Sequence, residues 1–466
     1  MKNKMQSTFL TGAVLIFALG PTSEFADAAP NANARDVLPS CQIDLPPQAS
    51  ETATTFVPCT VFVQFYGTET DDEIDRLLKG QGVQKRFRFK HGLVSVKITG
   101  AAQYRALRDD NRVQKIYPNH VVRAIARKNR PDTGTGGSGT TSGPITPEGV
   151  KRIGADRAIN KGDGVSIAIV DTGISDPNNN LNLHDACFDA FAGGGNNSYS
   201  NNNTGACLDG NGHGTHVAGI AAANGESLFG VAPKAWVYSV RVLNNQGSGN
   251  EDGVIAGLNW VNEFADSTLN IVNMSLGRSG DPDREKESPY YIAINALKNK
   301  GISVVVAAGN DSGADITSMV PAGFDNVIAV ASSTATAGSN SCNRFDGVIP
   351  ADTASYFTTD GKYIVISAPG GTREDISKRC TIKGIGIESL TPTGGTTQMS
   401  GTSMAAPHVA GALALRDSSS ESDIDFLKSV TSGKDFLPYT NPSEVTDDAV
   451  KEGVLDLCIR ESFCKE

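Results

Sequence analysis

Apolar and polar positions follow two different rhythms along this chain, and the rhythm changes at one break. From Thr55 to Ile125 the elements are short. Val61–Phe65 is strand-like, Asp72–Leu78 has the spacing of a short amphipathic helix, and Leu93–Ile98 alternates with period two. Ala101–Arg108 predicts a second helix and Val113–Tyr117 a further strand. An order of strand–helix–strand–strand–helix–strand predicts a small α+β sandwich. Residues 130–145, rich in Gly, Ser and Thr, predict a flexible linker and a domain boundary. Beyond it the apolar residues form continuous runs: Val165–Val170, Trp236–Val242, Leu269–Leu276, Gly301–Ala308, Val327–Ala331 and Tyr363–Ala368. Unbroken runs suit strands buried on both faces. Helical patterns lie between them at Asp252–Phe264 and Tyr290–Lys298. The expected fold is therefore α/β, a doubly wound and mostly parallel sheet, preceded by a small α+β domain. In such a sheet, ligands sit at the carboxyl ends of the strands.

The N-terminus adds a compartment. Lys2 and Lys4 precede an apolar stretch, Phe9–Leu19, and then Ala26-Asp27-Ala28. These are the parts of a secretory signal peptide, and the stretch is too short to span a bilayer. The predicted division is 1–28 signal peptide, 29–54 irregular lead-in, 55–126 small domain, 127–145 linker and 146–466 main domain. A secreted protein with no membrane span follows. Eight cysteines in an oxidising route predict disulfides. Their spacing into neighbouring couples favours Cys41–Cys59, Cys187–Cys207, Cys342–Cys380 and Cys458–Cys464.

Composition is that of a globular protein, with 39% hydrophobic and 20% charged residues in 466. The net charge of −10 argues against nucleic-acid binding. The charge is unevenly placed. Residues 51–130 carry 15 Lys/Arg against 8 Asp/Glu, a net of +7, while residues 131–466 sum to −16.

Three segments carry chemistry. Ile169-Val-Asp171-Thr-Gly173 places an acid at the end of a buried strand. Asn211-Gly-His213-Gly-Thr-His216-Val-Ala-Gly219 surrounds a histidine with glycine. Gly401-Thr-Ser403-Met-Ala-Ala-Pro-His408-Val-Ala-Gly411 opens an apolar helix on a serine. A hydroxyl is a weak nucleophile at neutral pH; it needs a base within reach, and that base needs an orienting partner. Asp171, His213 and Ser403 supply acid, base and nucleophile. A metal reading of His213 and His216 lacks a third ligand, and His216 and His408 are expected to pack helices. Gly401-x-Ser403-x-Ala405 brushes a hydrolase elbow, but no histidine follows at the distance that arrangement requires.

Together these segments resemble the subtilisin family of serine proteases, over residues 145–466. Residues 55–126 resemble that family's propeptide at the level of pattern. The resemblance implies a secreted serine endopeptidase made as a self-processing zymogen, acting on protein or peptide substrates as a monomer, with its own propeptide as intramolecular inhibitor. Asp171 would orient His213, His213 would act as base and then acid, and Ser403 would attack the scissile carbonyl. Val305-Val-Ala-Ala-Gly309-Asn310 matches the oxyanion segment, with Asn310 as donor. Asn273-Met-Ser275-Leu276-Gly277 and Gly247-Ser248-Gly249 match the strands that flank the substrate backbone. Ala308 and Gly309, with residues 318–321, would wall an apolar first pocket. Glu251 and Asp252 are expected to favour basic residues further upstream. The chemistry requires no cofactor; the loop Ala223–Phe229 is short for the family's calcium loop, and Asp176 with its Asn-rich neighbours leaves room for a structural calcium elsewhere. Maturation is expected within Arg123–Asn129.

Overall fold

A computed structural model describes residues 56–125, 143–192, 198–200, 207–264, 268–312, 314–342, 347–378, 380–416, 421–435 and 453–465. The stretch expected to be a signal peptide, most of the expected linker and Cys41 lie outside these residues.

The N-terminal unit runs β1 (Phe56–Phe65), α1 (Asp71–Gly80), β2 (Gln84–Arg88), β3 (Leu93–Lys97), α2 (Ala101–Arg108) and β4 (Val113–Ala124). The expected order of strand, helix, two strands, helix and strand is met; β2, the strand whose bounds the pattern left open, has no buried residue and carries little apolar signal. α1 starts where Thr70 and Glu73 form a reciprocal capping box, and it buries Ile74, Leu77 and Leu78 against the sheet. β4 extends seven residues beyond the predicted strand end at Tyr117.

The main unit is built on a parallel sheet: β5 (Ser166–Asp171), β6 (Trp236–Arg241), β8 (Leu269–Met274), β10 (Ser303–Ala307), β11 (Ile328–Thr334) and β12 (Ile364–Gly371), in the order β12-β11-β10-β8-β5-β6. All five contacts between these neighbours are parallel. The doubly wound expectation is met. β5 sends the chain one way to β6 and β8 sends it the other way to β10. The order therefore reverses between β5 and β8, where a crevice opens at the strand ends. One face is covered by α3 (His213–Ala222) and α6 (Thr402–Ala414), the other by α4 (Glu251–Phe264) and α5 (Pro289–Asn299). α3 and α6 are buried along every residue, which explains their uniformly small and apolar composition.

Two short strands leave the parallel sheet at its carboxyl edge: β7 (Ser248–Asn250) and β9 (Leu276–Ser279). The end of β4 lies antiparallel between them. The N-terminal sheet thus continues along β4 into the crevice of the main unit. Cys187–Cys207, Cys342–Cys380 and Cys458–Cys464 are bonded. Among the described residues no helix is long and apolar enough to cross a membrane.

Candidate active site

Asp171 is the last residue of β5 and is fully buried. His213 opens α3. Its Nδ1 donates to Asp171 Oδ1 at 2.7 Å and Oδ2 at 2.9 Å, which leaves Nε2 as the basic nitrogen. The approach is this close because Gly214 has no side chain: a Cβ there would lie 2.2 Å from the Gly173 carbonyl oxygen. His213 Nε2 is buried with no hydrogen-bond partner among the described residues.

Gly212 cannot cap α3 with a side chain, and Asp209 does so instead. One Asp209 oxygen accepts from Thr172 Oγ1 (2.8 Å), Asn211 N (2.9 Å) and Gly212 N (2.8 Å). The other accepts from Thr215 N (2.9 Å) and Thr215 Oγ1 (2.7 Å). Thr172 Oγ1 in turn accepts from Gly214 N at 2.8 Å. A single buried carboxylate therefore ties the turn after Asp171 to the turn that carries His213. Sequence reasoning missed Asp209; its signal was an acid four residues before the histidine, at a helix start with no other cap.

Ser403 is the second residue of α6. Pro407 lacks the N–H that would bond the Ser403 carbonyl, and Ser275 Oγ donates to that carbonyl at 2.9 Å. Ser403 Oγ is turned toward two carbonyls, Ile125 O at 2.5 Å and Ser275 O at 3.1 Å, and not toward His213.

Asn310 follows β10. Its Oδ1 accepts from Thr402 N (2.9 Å) and Thr402 Oγ1 (3.1 Å), which orients the amide and caps α6. Its Nδ2 donates to the Ile125 carbonyl at 2.9 Å. Gly309 N donates to Thr402 Oγ1 at 3.1 Å.

Residues flanking the crevice hold β4 in register. Leu276 pairs with Ala124, Gly277 with Arg123, Ser248 with Arg123 and Gly249 with Val122. Ser275 O accepts from Ile125 N at 3.1 Å, and Gly247 O from Ala124 N at 2.9 Å. Ala308 is buried, its N–H bonded within the sheet. Ile125 Cδ1 lies over Gly277, 3.1 Å from where a Cβ would stand.

Beyond the crevice, Glu251 and Asp252 begin α4 and are buried against the N-terminal unit. Asp252 Oδ2 accepts from Arg86 Nε at 2.7 Å and Ser95 Oγ at 2.6 Å. Glu251 is held by Arg278 and by His120 Nδ1. Burial opposes ionisation of Glu251, but Arg278 and His120 outweigh it and hold the carboxyl at about 2.

Burial pushes His216 down to about 3, helped by the nearby His213, and burial pushes His408 down to about 4. Both rings are neutral packing groups. His216 Nε2 faces the carbonyls of Ile387 and Thr397, and His408 Nδ1 that of Met404. Among the described residues no three His, Cys, Asp or Glu side chains gather to hold a metal ion. Asp176 turns its oxygens to the N–H groups of Asn180 and Leu181, and Asn180 Oδ1 takes both the N–H and the hydroxyl of Ser227.

A sheet crevice of this type, with an Asp–His pair and a serine at a helix start, defines a serine hydrolase class. The family model for the subtilase family matches residues 162–430, and the chain belongs to that family of serine endopeptidases. Among curated relatives, it is 34% identical to subtilisin DY of Bacillus licheniformis over 276 residues, covering 58% of this chain and 83% of that protein. It is 35% identical over 281 residues to an alkaline protease of Alkalihalobacillus alcalophilus, covering 59% of this chain and 60% of that one. A solved cold adapted subtilisin-like serine proteinase is similar at 28% identity with a TM-score of 0.49, covering 67% of this chain and 98% of that one. Family members act on protein substrates and need no cofactor for the chemistry.

Proposed function

We propose that this chain is a secreted endopeptidase that cuts itself free of residues 56–125 by the same chemistry it applies to substrates. Asp171, His213 and Ser403 form the triad. Ser403 Oγ attacks the carbonyl carbon while His213 Nε2 takes its proton; the ring, oriented by Asp171, then hands that proton to the leaving amine. Water repeats the sequence on the acyl-enzyme and restores Ser403. Asn310 Nδ2 and the Ser403 N–H meet the developing oxyanion.

One observation carries the reading: the Ile125 carbonyl oxygen accepts from Asn310 Nδ2 at 2.9 Å, and Ser403 Oγ lies 2.5 Å from it. A substrate carbonyl places its oxygen on that same amide donor and its carbon beside Ser403, so the Ile125 carbonyl stands where a bond to be cut would stand. Ile125 is therefore the residue before the first bond cut, Ile125–Ala126, inside the stretch expected for maturation. An aliphatic residue there agrees with an apolar first pocket. After cleavage the N-terminal unit remains as an inhibitor, its strand β4 occupying the substrate path between β7 and β9.

The opposite charges of the two units support that role. Arg86–Asp252, His120–Glu251, Lys90–Glu263 and Lys115–Glu287 all place the basic partner on the N-terminal unit. Long-range attraction speeds docking, so the association rate of the separated unit falls as salt rises.

The test compares the secreted protein with its Ser403→Ala variant by N-terminal sequencing. The intact chain should begin at Ala126 and the variant should retain the N-terminal unit. Cleavage at that bond in both, or in neither, refutes self-processing. Labelling of Ser403 by a serine-directed phosphonate separates an active peptidase from a silent binding protein on the same scaffold.

A further inference from the structure

We propose that Glu251 is a specificity-determining residue: it forms an acid-lined subsite for a basic or histidine side chain six residues before the bond that is cut. The inference rests on the reading of Ile125 as the residue before that bond. Counting back from Ile125, the sixth residue is His120.

The register delivers Glu251 to this position. β7 ends at Asn250, which pairs with Val121, and the chain then turns at once into α4. The next side chain therefore meets the residue before Val121. Glu251 divides its two oxygens. Oε1 accepts from Arg278 Nε at 3.0 Å and Nη2 at 2.6 Å, and Oε2 faces His120 Nδ1 at 2.7 Å. Arg278 is itself shared with Glu285, through Nη1 at 3.0 Å and Nη2 at 2.5 Å.

Charge bookkeeping then favours a cation. Two carboxylates and one guanidinium leave the notch with a net charge of −1. Asp252, next in the chain, loses Arg86 and Ser95 when the N-terminal unit departs, because a peptide substrate supplies neither. Tyr290 does not add to the charge. Its phenol is pushed well up, by burial and then by Glu251, so it stays neutral, and its hydroxyl has no hydrogen-bond partner among the described residues. A leucine at the sixth position would lie against Glu251 Oε2, displace water from it and offer no donor in return. Histidine, lysine or arginine would satisfy it.

The experiment uses active protein recovered from expression of the full chain and fluorescence-quenched peptides Xaa-Val-Val-Arg-Ala-Ile-Ala-Arg, with Xaa as His, Lys, Gln or Leu. The Lys and His peptides should exceed the Leu peptide about ten-fold in kcat/KM at low salt, and the preference should shrink as ionic strength rises. Glu251→Gln should reduce it to within about two-fold. Should that variant fail to fold, Glu285→Gln removes one negative charge from the same notch and should weaken the preference in the same direction. Equal turnover of the Lys and Leu peptides by the unaltered enzyme, with both cut after Ile, overturns the subsite and leaves the placement of Ile125 standing. A cut elsewhere, seen by mass spectrometry of the products, overturns both.

Discussion

Two buried histidines should make this protein acid-labile in a defined window, and His408→Gln tests how. The ring of His408 is enclosed in α6. Its Nδ1 donates to the Met404 carbonyl at 2.8 Å, while Nε2 has no partner among the described residues and lies against Gly149. A second proton would sit buried on Nε2 with nothing to accept it, so burial holds the ring at about 4. His216 is held at about 3 for the same reason. In the unfolded chain both titrate near ~6.5. The folded state therefore binds fewer protons than the unfolded state below that value, and acid favours unfolding. pH 5 lies about 1.5 units below the unfolded value and still above both folded values, so each ring costs about 2 kcal/mol there at 1.36 kcal/mol per unit. The pair should remove about 4 kcal/mol between pH 8 and pH 5, before most carboxylates titrate. The assay is guanidinium unfolding followed by tryptophan fluorescence, in a Ser403→Ala background that prevents self-digestion. His408→Gln shifts stability by a constant amount at all pH and should halve the pH-dependent loss to about 2 kcal/mol. Unchanged stability from pH 8 to 5 in the parent, or an equal fall in the variant, refutes the reasoning.

Further outcomes follow from the site. Asn310→Ala should lower kcat by on the order of 10²–10³ with little change in KM, the range established for losing such a donor in subtilisin itself; an unchanged kcat removes Asn310 from the oxyanion site. Asp209→Asn leaves one oxygen where two were used, so kcat should fall at least about ten-fold as the Asp171–His213 geometry loosens. A drop in melting temperature with kcat intact would make Asp209 a structural cap alone. Replacing Cys187 and Cys207 by serine opens a loop of sequence separation 20 and should cost about 3 kcal/mol in unfolding stability, read by calorimetry; no change would mean the loop is held by other contacts.

The alternation of buried runs and helices already implied a doubly wound sheet, because strands covered on both faces cannot show a polar side. The three segments bearing Asp171, His213 and Ser403 were equally legible, since each needs glycine or small residues around a reactive side chain. The bounds of β2 were not legible: its exposed, charged residues leave too little apolar signal. Nor was the role of Asp209, because a carboxylate that caps a helix and one that sits in a loop look alike until their donors are located.

What the sequence determined by itself was chemical and local: which residues can act as acid, base and nucleophile, which stretches must be buried, and that a basic unit precedes an acidic one. What only the tertiary structure decided was juxtaposition. The placement of the Ile125 carbonyl against Asn310 and Ser403, of His120 beside Glu251, and of Ser275 Oγ on the carbonyl freed by Pro407 all join residues far apart in the chain. Local periodicity records which face of an element is covered. It holds no record of which distant group covers it, because that depends on strand order and register, and these are set by the packing of the whole sheet.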